Sequence, residues 1–167
     1  MLTRFFTVLL ILASLIFATA CPKAKVESAQ KKAASTVYQL SGLVLDLSKA
    51  TDRAFDEGLL SVETKDKAVD GLRLLNTGVK RLTELTAQIE VNNEPPSPQF
   101  LTVINKVLSD EVIRPFLVLL TDYGGIAAEK ASYLRTVLSA IRISILTISN
   151  AMADAGSPVD TGGLANV

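Results

Sequence analysis

Residues suited to catalysis are scarce in this 167-residue chain. It contains no histidine, so the usual proton carrier near neutral pH and the commonest transition-metal ligand are missing. Its single cysteine, Cys21, cannot form a disulfide within the chain. The sequence has neither the residues of a catalytic triad nor a glycine-rich phosphate loop. These features predict no catalytic residues, no metal site and no cofactor.

The distribution of charge excludes further functions. Asp66 and Asp70 lie one helical turn apart, as an acid-base pair could. Lys65 and Lys67 flank the first of them, so we interpret the pair as part of a solvated face. Lys and Arg count 17, as do Asp and Glu, which gives a formal net charge of zero. Nucleic-acid-binding domains usually carry a basic excess, so no nucleic-acid partner is expected.

The cysteine follows a segment that has the features of an export signal. A short positive start, residues 1–4, precedes 13 uncharged residues, FFTVLLILASLIF. This run has the length of a signal-peptide core and is shorter than the roughly 20 residues of a membrane-spanning helix. The small residues Ala-Thr-Ala follow at 18–20, a pattern that signal peptidases accept. We assign residues 1–20 to a signal peptide.

Ala18, Thr19, Ala20 and Cys21 together resemble the processing site of bacterial lipoprotein precursors. In that family the cysteine is acylated and becomes the mature N-terminus, and leucine usually stands where this chain has Ala18. The resemblance implies export to the bacterial cell envelope and membrane anchoring through a lipid on Cys21. Ordinary cleavage after Ala20 would instead leave a bare cysteine on a secreted or periplasmic protein. An uncleaved membrane anchor is a third alternative.

A basic tether, residues 21–32, follows the signal. It contains one acidic residue, Glu27, and four lysines: Lys23, Lys25, Lys31 and Lys32. Lysines beside a lipid anchor can bind anionic headgroups, each worth about 1 kcal/mol near the surface. The alternative is a solvated tether without a role in membrane binding.

Apolar residues beyond the tether recur every three or four positions, which is typical of amphipathic helices. The pattern predicts helix 1 near 30–57 and helix 2 near 62–91. Gly58 is a natural stop for the first, and Ser61 is a suitable N-cap for the second.

Two more helices follow the proline-rich stretch NNEPPSPQ. Ser97-Pro98 predicts the start of helix 3, in which Pro115 predicts a kink or a one-turn break. Gly124-Gly125 ends that helix, and the apolar positions of helix 4 run from Ala127 to Ala155.

Four amphipathic helices with short connections predict an all-α fold, an up-down-up-down four-helix bundle. We assign residues 33–156 to this bundle and residues 157–167 to a flexible tail. Helices 3 and 4 carry charges that fit a solvated face better than a membrane span. They are Lys106, Asp110, Glu111 and Arg114, and then Glu129, Lys130, Arg135 and Arg142.

Three sets of residues are candidates for contacts. Gly71 and Gly78 share one face of helix 2, where another helix could come close; the alternative is that both are simply tolerated. Arg135 and Arg142 share a face of helix 4, which could meet an acidic partner or remain solvated. Four aromatic residues favour the core, with a ligand groove as the alternative: Phe100, Phe116, Tyr123 and Tyr133.

The leading hypothesis is a non-enzymatic, envelope-anchored bundle that acts as a structural or protein-interaction module. Its expected partners are the membrane, through the N-terminal lipid, and another envelope protein; the oligomeric state stays open. The alternative is a soluble exported bundle that binds an apolar small molecule. Pro115 and the small residues Ala140, Ser144 and Thr147 would then leave a cavity. An enzyme and a membrane-disrupting bundle rank lower.

Overall fold

The computed structural model describes residues 31–92, 97–126 and 131–164, and the regular elements within these ranges are all helical. Helix α1 covers residues 31–56 and α2 covers Val62–Asn92. The third helical run comprises α3 (Pro98–Lys106), a π-helical segment (Val107–Ile113) and α4 (Arg114–Asp122). Helix α5 covers Ser132–Asp154. The all-α class is therefore confirmed.

Local signals set the ends of these helices. Gly58 has φ 70°, and the left-handed backbone that follows α1 favours glycine. The Ser61 hydroxyl accepts a hydrogen bond from the Thr64 N–H at 3.1 Å, which caps α2. The Ser97 hydroxyl accepts one from the Phe100 N–H at 3.2 Å at the start of α3. These boundaries agree with the predictions from sequence.

The apolar stripes of the helices meet in one core. Phe116 has no exposed surface and is the largest of the fully buried side chains among the described residues. Most of the other core side chains are aliphatic and recur at helical spacing along each run: Leu40, Val44 and Leu47; Leu72, Leu75, Val79 and Leu82; Ile104, Leu108 and Val112; Leu134, Leu138, Ile141, Ile145 and Ile148. Burying each such side chain contributes about 1.5–3 kcal/mol, so the core drives the association of the helices.

Contacts between helices place the four helical runs around this core. At one end, the Tyr133 hydroxyl on α5 donates to the Glu57 carboxylate just beyond α1, at 3.1 Å. We call this the far end, because the chain enters α1 at the opposite, near end. Gly71 of α2 lies against Leu119 of α4. Helices α1 and α5 are therefore neighbours, as are α2 and α4, which fits the up-down-up-down order.

The π-helical segment lies directly before Pro115, where the sequence predicts a kink or a break. A proline inside an α-helix has no N–H to donate, and its ring collides with the carbonyl four residues earlier. In the π-helical segment the hydrogen bonds reach five residues back, as from the Arg114 N–H to the Ser109 carbonyl. The wider turn accommodates Pro115, and the helical run continues without interruption to Asp122.

Two predicted boundaries need correction. Ala131 has a non-helical backbone, with φ −132° and ψ 44°, so α5 begins at Ser132; residues 127–130 lie outside the described ranges. The tail predicted to be flexible packs on the bundle over residues 157–164. The Asn105 side-chain amide donates to the Ser157 hydroxyl at 2.6 Å, and Leu164 is completely buried. The buried side chain of Leu164 explains why this segment lies against the bundle. Residues 165–167 lie outside the described ranges.

Candidate functional site

The predicted lipid attachment site and most of the tether lie outside the described residues. These are Cys21, Lys23 and Lys25. Lys31 and Lys32 begin the described part of α1, and both are exposed at the near end of the bundle. The predicted anchor therefore precedes the first described residue by ten positions, a stretch that spans at most about 35 Å when extended.

A small apolar cavity also lies at the near end. It is formed by the start of α1, the end of α2, the start of α3 and the end of α5, and its volume is about 20 Å³. Its lining contains aliphatic side chains and one hydroxyl: Ala33, Val37, Leu82, Thr86, Leu101, Ile104, Ile148, Ala151, Met152 and Ala155. Sites for drug-sized ligands occupy about 300–1,000 Å³. This cavity admits about one water-sized molecule, so it does not support the ligand-binding alternative.

The residues proposed to create a ligand cavity lie elsewhere. Pro115, Ala140, Ser144 and Thr147 do not line the near-end cavity. The four candidate aromatic residues do not line it either. Phe116 and Tyr123 are buried, whereas Phe100 and Tyr133 are partly buried against the core. The structure thus places these aromatic side chains in and around the packed interior.

Gly71 and Gly78 lie at the two places where α2 comes close to the third helical run. A Cβ atom on Gly71 would stand 2.8 Å from the Leu119 Cδ2 atom. A Cβ atom on Gly78 would overlap the backbone carbonyl of Glu111 in the π-helical segment. Arg81, one turn beyond Gly78, donates to the Glu111 carboxylate. The missing side chain therefore lets the π-helical segment rest directly on the backbone of α2.

The two arginines of α5 differ in their surroundings. Arg135 is exposed, and its guanidinium donates to the Ile126 carbonyl at 3.4 Å. Arg142 lies two turns further along the same face and is half-buried, with contacts of its own. The structure places both residues on α5.

A buried pair of hydroxyls at the far end is not apparent from the sequence. The Thr51 hydroxyl donates to the Leu47 carbonyl at 2.8 Å, and the Tyr123 hydroxyl lies 2.6 Å from the Thr51 oxygen. Because the one hydrogen of Thr51 is already used, Tyr123 donates to Thr51. Burial raises the pKa of Tyr123 to about 12. This phenol therefore stays protonated near neutral pH and joins α1 to the end of α4.

A second polar cluster lies on the surface of the far end. The Arg53 guanidinium lies 4.2 Å from the centre of the Tyr133 ring, and its Nε atom donates to the Glu57 carboxylate at 2.7 Å. The hydrogen bond from Arg53 lowers the pKa of Glu57. Partial burial, followed by the hydrogen bond to Glu57, raises the pKa of Tyr133. Both shifts favour the forms already present near pH 7, so the cluster has no group poised to exchange a proton there.

No group of three or more potential ligands from His, Cys, Asp and Glu occurs among the described residues. Within the same ranges, one helix, α5, is long and apolar enough to cross a membrane by length and composition. The most apolar window of α5 is 44% buried within the bundle, and a single helix of this kind is weak evidence for a membrane span.

Comparison with known proteins adds no assignment. The chain matches no protein-family description, no curated protein and no solved structure.

Proposed function

We propose that this protein is a non-enzymatic lipoprotein of the bacterial cell envelope, anchored through Cys21, whose helical bundle acts as a structural or protein-interaction module. The observation that carries the proposal is the position of the only cysteine, directly after the small residues that end the predicted export signal. An unpaired exported thiol is exposed to oxidation, whereas an acylated one is not.

The structure supports this proposal in two ways. Lys31 and Lys32, the last lysines of the predicted tether, are exposed at the near end of the bundle, where the chain enters α1. The polar groups of the far-end surface cluster are paired within that cluster, and the near-end cavity has about the volume of one water molecule. Neither of these two places among the described residues favours a substrate site, which is compatible with a structural or protein-interaction role.

The intact mass of the mature protein from the membrane fraction tests the anchor. A mass that exceeds the polypeptide from Cys21 onward by diacylglyceryl and acyl groups supports the proposal. The variant Cys21→Ser should lose this increment and leave the membrane fraction, whereas Ser28→Ala, a matched change within the tether, should retain both. A bare Cys21 on the wild-type protein would refute anchoring and favour the secreted or periplasmic alternative.

A further inference from the structure

The first half of α1 has an exposed face without charge. Residues 33–45 contain no Asp, Glu, Lys or Arg, and six of them are exposed: Ser35, Tyr38, Gln39, Ser41, Gly42 and Leu45. We call these six residues the α1 face. The exposed surface of α2 is different and carries alternating charges: Glu63, Asp66, Lys67, Asp70, Arg73, Lys80, Arg81 and Glu84.

Two large apolar side chains on the α1 face are exposed, as Leu74 is on α2 and Ile143 on α5. Tyr38 is 48% exposed and Leu45 is 59% exposed. They are seven residues apart, so they lie on one side of the helix, with Gly42 between them. An uncharged strip with two large side chains at this spacing is typical of a surface that receives another helix.

No contact with another described residue explains the glycine at position 42. A Cβ atom there would have no neighbour within 4 Å, and its backbone is helical. Glycine in an exposed helix costs stability relative to alanine. At Gly71 and Gly78 this loss of stability is offset, because the missing side chain lets a neighbouring helix pack closely. The equivalent explanation for Gly42 is a helix that approaches from outside the protomer.

We propose that the α1 face binds the α1 face of a second copy, with the two helices parallel and crossing near Gly42. This inference rests on the proposed anchoring, because tethers at the near end would hold two copies on one membrane in the same orientation. A two-fold axis along the membrane normal then brings each face against itself. Residues 33–45 themselves carry no charge, so like charges meet only at the two ends of the contact, where Lys31 and Lys49 lie on the same side of α1. The Asp46–Lys49 pair, with 3.4 Å between charged atoms, lies just beyond this contact.

The area of the face explains why anchoring matters. Thirteen helical residues span about 20 Å, which is short for an interface of the roughly 1,200–2,000 Å² that a stable soluble complex buries. Confinement to a membrane raises the effective concentration of the second copy, and a small interface then suffices. We therefore expect association on a membrane surface and monomers in dilute solution.

Photocrosslinking on vesicles tests the proposal. The chain from Cys21 onward contains every residue of the described bundle, and its single thiol can be coupled to a maleimide lipid in phosphatidylcholine vesicles. Benzoylphenylalanine at position 38 should then form a covalent dimer, with the crosslinked peptide of the second copy within residues 33–45. Leu45→Glu should lower the dimer yield about tenfold or more, because a charge would be buried in the contact.

A matched control is available on α2. Leu74 is 61% exposed, close to the exposure of Leu45, so Leu74→Glu should fold equally well and leave the dimer yield unchanged. Leu45→Gln gives a second, uncharged variant, and circular dichroism verifies that each variant is folded. No dimer, crosslinks mainly to lipid, or equal losses from Leu45→Glu and Leu74→Glu would overturn the proposal. Because the anchor is attached chemically, any of these results leaves the mass test of natural acylation independent.

Discussion

Replacing Gly78 with alanine should destabilise the protein, although alanine is the better helix former. In an unhindered helix, replacing glycine with alanine raises the free energy of unfolding by about 1 kcal/mol. Here the new Cβ atom would overlap the Glu111 carbonyl, which belongs to the backbone and cannot rotate away as a side chain can. Overpacking of this kind costs about 1–3 kcal/mol, and a backbone contact belongs at the upper end. We therefore expect Gly78→Ala to lower the free energy of unfolding by about 2 kcal/mol.

Two other glycines provide matched controls for this prediction. Gly42 has the same helical conformation and no neighbour within 4 Å of an added Cβ atom, so Gly42→Ala should stabilise the monomer by about 1 kcal/mol. At Gly71 the atoms nearest to an added Cβ belong to the Leu119 side chain, which can move. Gly71→Ala should therefore lie between the other two variants, near the wild-type stability.

Urea unfolding followed by circular dichroism measures these differences in the free energy of unfolding. Gly42→Ala and Gly78→Ala should differ by about 3 kcal/mol, or by roughly 6–12 °C in Tm. The slope of the free energy against urea should stay constant, since the surface exposed on unfolding is unchanged. If Gly78→Ala were as stable as Gly42→Ala, the inferred contact between α2 and the π-helical segment would be wrong.

Further predictions concern the far end and the tail. The folded protein holds Tyr123 protonated up to about pH 12, whereas an unfolded tyrosine ionises near pH 10. The resulting stabilisation is complete below pH 10, and about 2–3 kcal/mol should be lost as the pH rises towards 12. Urea midpoints should therefore fall more between pH 9 and 11.5 for the wild type than for Tyr123→Phe; equal falls would contradict the burial of this phenol. Leu164→Ala should cost about 2 kcal/mol because the side chain is fully buried, whereas Leu74→Ala should change stability by less than about 0.5 kcal/mol. Equal urea midpoints for these two variants would show that the tail does not anchor on the bundle.

Much of the fold could be predicted because helix formation leaves local traces. The stripe from Val37 to Leu47 has the period of one buried helical face, and all four of its apolar positions are buried. The serine and glycine signals at Ser61 and Gly58 act within a few residues, so they specify the helix ends without reference to the rest of the chain.

The candidate sites were less predictable, because the role of each residue depends on contacts with residues that are far away in the sequence. The spacing of Gly71 and Gly78 indicates a shared face, but not that the carbonyl of Glu111 lies against the second of them. The hydrogen bond between Thr51 and Tyr123 joins residues 72 positions apart, and neither has a distinctive sequence neighbourhood. A single leucine in a small, polar tail gave no periodic signal, so the burial of Leu164 was missed.

The sequence by itself determined the helical class, most helix ends and the absence of histidine chemistry, because these depend on composition and on interactions within one or two turns. The predicted export signal and the position of Cys21 are likewise features of the sequence, which alone carries the prediction of an anchor. Only the tertiary structure decided which glycines within the described helices admit a neighbour, as Gly71 and Gly78 do, and which faces outward, as Gly42 does. Gly42 and Gly78 are equivalent in type and local conformation, and they differ because packing brings a backbone against one and solvent against the other.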